Sequence, residues 1–141
     1  MDTHPAPDLS RIISELADRL LSQGRHLVTA ESCTGGWIAK ACTDRPGSSL
    51  WFRGGAVVYT DELKTAMLGV MPRTLAEAGA VSEATVREMA EGALERLGGD
   101  VAVAYIKVSG GLFRDMMIHV GTVWFAWAFR SGSATEIRVQ H

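Results

Sequence analysis

Seven residues, Ala30-Glu31-Ser32-Cys33-Thr34-Gly35-Gly36, bring two side-chain nucleophiles, a second hydroxyl and two glycines into one short segment. The strand-forming run "HLVTA" precedes it and "WIAKAC", a helical pattern from Trp37 to about Thr43, follows. In open α/β sheets ligands bind outside the carboxyl ends of the strands, where Ser32 falls. A helix that starts there offers unsatisfied N–H groups and the positive end of its dipole. Phosphate, carboxylate or a developing oxyanion suits such a place. Gly35 and Gly36 would let a ligand come close to the backbone. The same residues admit a plainer reading, in which a hydroxyl simply caps a helix and Cys33 is a small buried hydrophobe.

A serine nucleophile needs a base. His4, His26, His119 and His141 are scattered, and neither HExxH nor CxxC occurs, so no metal is expected. Lysine or tyrosine is left. Lys64 and Tyr59 lie together in "VVYTDELK", just beyond a strand end. A lysine becomes a base when burial or nearby positive charge lowers its pKa. Otherwise Lys64 is a solvated lysine on a helix that also carries Asp61 and Glu62.

The elements that must position these groups are legible as alternating patterns. Residues 1–7 hold two prolines and read as a loose lead. A helix begins near Asp8 or Ser10, with Leu9, Ile12, Ile13, Leu16, Leu20 and Leu21 at helical spacing, and Gly24 is placed to end it. "DRPGSS" breaks the second helix, "LWFRGG" is ambiguous, and "AVVYT" reads as a strand. "DELKTAMLG" is a helix closed by Gly69, and "PRTLAEAG" adds a turn or two. Ser82 caps the clearest helix, over 82–97, with Val86, Met89, Ala90, Ala93, Leu94 and Leu97 on one stripe. "DVAVAYIKV" is a buried strand; "VGTVWFAWAF" and "TEIRVQ" flank Arg130–Ser133 as a hairpin. That order predicts an α/β domain with a mixed sheet.

The bulk numbers exclude several classes. The chain of 141 residues suits one domain, and about 70% of its unfolded surface can be buried at that length. A net charge of −2 and the absence of any basic run argue against nucleic-acid binding. No apolar stretch reaches the roughly 18 residues of a membrane span, and the N-terminus has no signal-peptide pattern. Cys33 and Cys42, read as lying on one helix, do not form a disulfide framework; thiols fit a reducing cytosol, so a cytoplasmic protein is expected.

Four long stretches, "TAESCTGGWIAK", "PGSSLWFRGGAVVYTDELKTAMLGV", "AGAVSEATVREMAEGAL" and "VGTVWFAWA", resemble the CinA C-terminal domain family over nearly the whole chain. Characterised members of that family are nicotinamide mononucleotide amidohydrolases. The resemblance implies a three-layer α/β/α sandwich with a mixed β-sheet, forming one domain over 1–141. It implies hydrolysis of the carboxamide of nicotinamide mononucleotide to nicotinic acid mononucleotide and ammonia, with no metal or cofactor. The pyridine nucleotide would be the partner, with no nucleic acid and no membrane. The serine of the "ESCTGG" motif maps to Ser32, and the tyrosine and lysine of the "YxxxxK" motif to Tyr59 and Lys64. Cys33 is then left to packing. Thr34, Gly35 and Gly36 are expected substrate or oxyanion contacts, with Gly110 a surviving glycine of the substrate loop.

Two departures from the family pattern stand out. Relatives carry a loop like "TGIAGPxGGSPEKPVG" before the "TVWFAW" strand; here the interval reads "IKVSGGLFRDMMIHVG", bulkier and of equal length. A locally shifted reading frame over 106–119 would account for that, and the gene's DNA decides it. Relatives also continue past the position of His141 with a "GDR"-type segment and a terminal helix. These departures motivate an alternative: a catalytically impaired member acting as a nucleotide-binding or assembly module. Four tryptophans and the sheet edge at "EIRVQH" are compatible with a homodimer or higher homo-oligomer.

Overall fold

The computed structural model describes residues 8–107, 122–132 and 134–141. Helix α1 (Leu9–Gln23) starts on Asp8, whose carboxylate accepts from the N–H groups of Ser10 and Arg11, and ends on Gly24 in the left-handed conformation. Strand β1 (Leu27–Glu31) leads into α2 (Trp37–Thr43), and a single 3₁₀ turn (Ser48–Leu50) leads into β2 (Phe52–Val57). Helices α3 (Asp61–Leu68), α4 (Pro72–Ala78) and α5 (Glu83–Arg96) follow, then β3 (Val101–Lys107), β4 (Val123–Ser131) and β5 (Ala134–Gln140). The five strands form one mixed sheet in the order β2-β1-β3-β4-β5. The first three are parallel, and β3-β4-β5 run antiparallel.

Alternation along the strands sorts the core into two layers. Val28, Ala30, Ala56, Ala102, Ala104, Ile106, Ala126 and Ala128 face α5, meeting Val86, Met89, Ala90, Ala93 and Leu94. The run of alanines on the sheet side lets α5 lie close. Each larger apolar side chain buried there contributes about 1.5–3 kcal/mol. Leu27, Val101 and Phe52 belong to the opposite layer, with Ala17 and Leu20 of α1, Cys42 of α2 and Trp51. The result is helix, sheet, helix: α1 and α2 on one face, α3 and α5 on the other, the three-layer α/β/α sandwich expected from the resemblance.

One strand differs from its sequence reading. Of "AVVYT" only Ala56 and Val57 lie in the strand; β2 begins at Phe52 and stops at Val57, so Arg53-Gly54-Gly55, within the ambiguous stretch, is inside it. Gly55 is what lets β2 approach β1, because a Cβ there would collide with the Thr29 hydroxyl. The pairing shifts register between Leu27 and Val28, with Leu27 opposite Phe52 but Val28 opposite Gly54. That irregularity carries Glu31 opposite Val57 at the strand ends. A second close approach positions α3: a Cβ on Gly92 of α5 would overlap the Leu68 carbonyl oxygen.

Candidate active site

Strand order reverses beside β1. The chain leaves β1 for β2 on one side and returns, through α3, α4 and α5, to β3 on the other. The crevice outside the carboxyl ends of β1 and β3 is therefore the topological switch point, where such sheets bind ligands. Ser32 sits in it as the first residue after β1. Its N–H donates to the Tyr105 carbonyl at 3.0 Å, tying the turn to the end of β3. The Ser32 side chain is 2% exposed, and its Oγ lies 3.8 Å from Cys33 Sγ.

The turn itself is strained. Cys33 has φ +72°, the one non-glycine residue at positive φ among the described residues; Gly35 and Gly36 follow at +66° and +94°. A side chain in that conformation costs about 1–2 kcal/mol. The Cys33 thiol donates to the Lys107 carbonyl at 3.2 Å, a second tie to β3. Cys33 is thus not on α2 with Cys42, contrary to the expectation of one helix for both. It is half-buried beside Ser32, whereas Cys42 is the core thiol, and burial followed by the charge of Glu31 pushes its pKa up to about 11.

Glu31 is the residue that sequence reasoning missed. Its carboxylate is 1% exposed and takes the first free N–H groups of α2, accepting from Ile38 N at 2.7 Å and Ala39 N at 3.0 Å. Thr34 Oγ1 donates to it at 2.8 Å and Thr29 Oγ1 at 3.4 Å. The α2 terminus expected to receive a substrate anion is therefore filled by the protein's own carboxylate. Thr34 spends its hydroxyl on the same group. The sequence signal was available: an acidic residue closes a strand that is otherwise sandwiched between two apolar layers, seven and eight residues before the N–H groups it meets.

The second turn of the site follows β2. Val58 N donates to the Glu31 carbonyl at 2.9 Å, so the ends of β1 and β2 are held side by side. Thr60 caps α3, accepting from Leu63 N at 3.3 Å. Lys64 lies one turn into that helix with its side chain 2% exposed. Its Nζ donates to the Tyr59 carbonyl at 2.8 Å and stands 3.6 Å from Asp61 Oδ1. Burial lowers its pKa below the ordinary lysine value; Asp61 and Cys33 oppose that shift. Continuing the alternation of β1 by one residue places Ser32 on the side of the sheet that carries α3. Lys64 senses the Cys33 thiol, and so does Tyr105, whose pKa is raised mainly by burial and next by Cys33. Of the roles open to Tyr59, relaying a proton or holding Lys64, the contact present is the second: its main-chain carbonyl accepts from Lys64 Nζ, while the residue itself is 63% exposed. Gly110 lies outside the described residues, as does nearly all of the divergent 106–119 segment; Ile106 and Lys107 are the last two residues of β3.

A serine at the switch point of a three-layer α/β sandwich, with a buried lysine in the helix after the neighbouring strand, sets this domain in the α/β class with a polar crevice at its strand ends. The chain belongs to the CinA C-terminal domain family, whose pattern matches residues 9–141. It is 50% identical over 127 residues to a CinA-like protein of Akkermansia muciniphila, covering 90% of this chain and 31% of that protein. It is 46% identical over 131 residues to the nicotinamide-nucleotide amidohydrolase PncC of Escherichia coli K12, covering 93% of this chain and 79% of that enzyme. The fold matches the crystal structure of competence damage-inducible protein A from Klebsiella pneumoniae with a TM-score of 0.85 at 38% identity, over 94% of this chain and 81% of the other. A CinA superfamily protein from Escherichia coli matches with a TM-score of 0.86 at 34% identity, over 100% and 82% of the two chains.

Proposed function

We infer that the protein is a nicotinamide-nucleotide amidohydrolase that releases ammonia from the carboxamide of nicotinamide mononucleotide. The observation that carries this reading is the buried Lys64, its pKa lowered by burial, in the helix that follows the strand end tied to Glu31, the residue before Ser32. Extended identity to an enzyme of that name supports the substrate. Ser32 Oγ attacks the carboxamide carbon while Lys64 Nζ, in its neutral form, takes the hydroxyl proton. The carbonyl oxygen becomes an oxyanion, for which the backbone N–H groups of the Thr34–Gly36 turn are the proposed donors. Collapse breaks the C–N bond, and Lys64 returns the proton to the departing ammonia. A water then adds to the serine ester, giving its proton to Lys64; the ester bond breaks, Ser32 recovers its proton, and nicotinic acid mononucleotide leaves. The lowered pKa of Lys64 serves both directions of this transfer.

The proposed reaction is a step of pyridine nucleotide turnover, and a cytoplasmic setting is part of the proposal, supported by the two free thiols. Among the described residues no helix is long and apolar enough to cross a membrane. Among the described residues β2 and β5 are the sheet edges, and association of copies of the chain along them is part of the proposal. The test is ammonia release from nicotinamide mononucleotide by the purified protein, with the Escherichia coli enzyme as control. Stoichiometric nucleotide binding without ammonia release would replace the amidohydrolase by a nucleotide-binding module.

A further inference from the structure

We propose that Glu31 is the positioning residue of the nucleophile turn, holding Ser32 in attacking geometry by clamping the turn to α2 from within the core. This rests on the amidohydrolase reading for its kinetic arm and on geometry alone for its second arm. The N-cap of α2 is Gly36, which has no side chain with which to cap. Glu31 does that work from five residues upstream. Its two oxygens meet four donors: Ile38 N and Thr34 Oγ1 at Oε1, Ala39 N and Thr29 Oγ1 at Oε2. Residues 32–36 are thereby closed into a ring, covalent along the chain and hydrogen-bonded from Glu31 to the first turn of α2. Its carbonyl also accepts from Val58 N, so one residue joins β1, the Ser32 turn, α2 and the strand end that leads to Lys64.

The ring contains the positive-φ residues Cys33, Gly35 and Gly36. A turn of that conformation persists where its surroundings over-determine it, and the Glu31 carboxylate is the group that does so here. The arrangement asks for two acceptor oxygens and no donor. A glutamine of identical shape fails it, because its NH₂ meets a donor whichever way the amide turns. The consequence reaches Ser32, whose main chain is continuous with Glu31 and whose N–H is fixed to Tyr105. A displacement of about 1 Å in a nucleophile can cost about 10²-fold in rate.

The experiment compares Glu31→Gln and Glu31→Asp with the wild type. Three readouts are taken: kcat and KM for ammonia release from nicotinamide mononucleotide, thermal unfolding, and the rate of Cys33 alkylation by iodoacetamide read by mass spectrometry. Cys42, fully buried, is the internal control. Glu31→Gln is expected to lose about 10²-fold in kcat per folded molecule with KM changed about twofold or less. Cys33 should change its alkylation rate while Cys42 stays protected. Glu31→Asp, with the charge on a shorter arm, should recover part of both. A kcat within about twofold of wild type in folded Glu31→Gln, or a loss that follows the unfolded fraction alone, overturns the proposal. If the wild type releases no ammonia, the amidohydrolase reading fails and the alkylation arm decides: an unchanged Cys33 rate in both variants then overturns the positioning role.

Discussion

The two turns that meet above the sheet are built on opposite principles. In the turn after β1, polar side chains are spent internally: Glu31, Thr29 and Thr34 satisfy one another and the α2 terminus, and the strain at Cys33 is held by that network. In the turn after β2, an ammonium group is buried with little to hold it. Lys64 has one carbonyl at 2.8 Å and a carboxylate at 3.6 Å that is itself half exposed. A fully satisfied carboxylate fixes geometry, whereas an under-compensated lysine is pushed toward its neutral form. Placement and reactivity are thus assigned to different loops, joined by the hydrogen bond between Val58 N and the Glu31 carbonyl.

The largest expected effect removes the placed atom. Ser32→Ala should lower turnover by about 10⁴-fold or more, with the melting temperature little changed, since the hydrogen bond of Ser32 Oγ with Cys33 Sγ is long, at 3.8 Å. Ammonia release and a thermal melt on the same sample check it. Next comes the reactive group. Lys64→Met should cost about 10²–10⁴-fold as a lost general base. The wild-type rate should rise with pH through a pKa below the ordinary lysine value, and that limb should be missing in the variant. Stability should move the other way. Below the lowered folded pKa the wild type carries the full cost of a buried ammonium, so Lys64→Met should be more stable by about 1–2 kcal/mol. As pH rises from that value toward the unfolded one of 10.5, the wild type sheds the cost and the gap closes. A gap that widens with pH would mean Lys64 is stabilised as a cation, contradicting the contrast between the two turns.

The legibility of the molecule follows the same division. Helices whose signals are local were readable: the Asp8 and Ser82 caps, the Gly24 and Gly69 stops and the stripe on α5 all depend on residues within one turn. Strand β2 was misread because its glycines are explained by a neighbour, Thr29, that only the folded sheet supplies. Ser32, Tyr59 and Lys64 were named through a resemblance and by elimination of other bases. The physics that unites two of them, burial of Lys64 and the tie between strand ends, is tertiary. Glu31 was overlooked for a related reason. A glutamate before a glycine-rich turn looks solvated until both faces of β1 are seen to be covered. Cys33 lies off α2 and only half-buried, and its positive φ and its bond to Lys107 come from the path of the turn, which no local pattern shows.

Smaller effects separate main-chain from side-chain roles. Lys64 is held by the carbonyl of residue 59, which any residue provides, so Tyr59→Phe should retain the lowered rate-limiting pKa and lose about tenfold or less in kcat/KM. A larger loss with the pH limb displaced would show the phenol, and not the carbonyl, acting on Lys64.

The smallest effect is expected at Cys33, and it tests which feature of the strained turn matters. Cys33→Ala keeps the positive φ without relief and removes the thiol that donates to Lys107. One hydrogen bond of that kind is worth about 0.5–1.5 kcal/mol. Cys33→Gly removes the same bond but also the strain of about 1–2 kcal/mol. The glycine variant should therefore be the more stable of the two by about 1 kcal/mol in urea unfolding. Turnover in both should stay within about threefold of wild type, because the turn is held by Glu31 and not by the thiol. A Cys33→Ala loss as large as that of Ser32→Ala would make the thiol part of the reaction. A Cys33→Gly loss alone, with the fold retained, would mean the side chain at 33 stiffens the turn that Glu31 clamps.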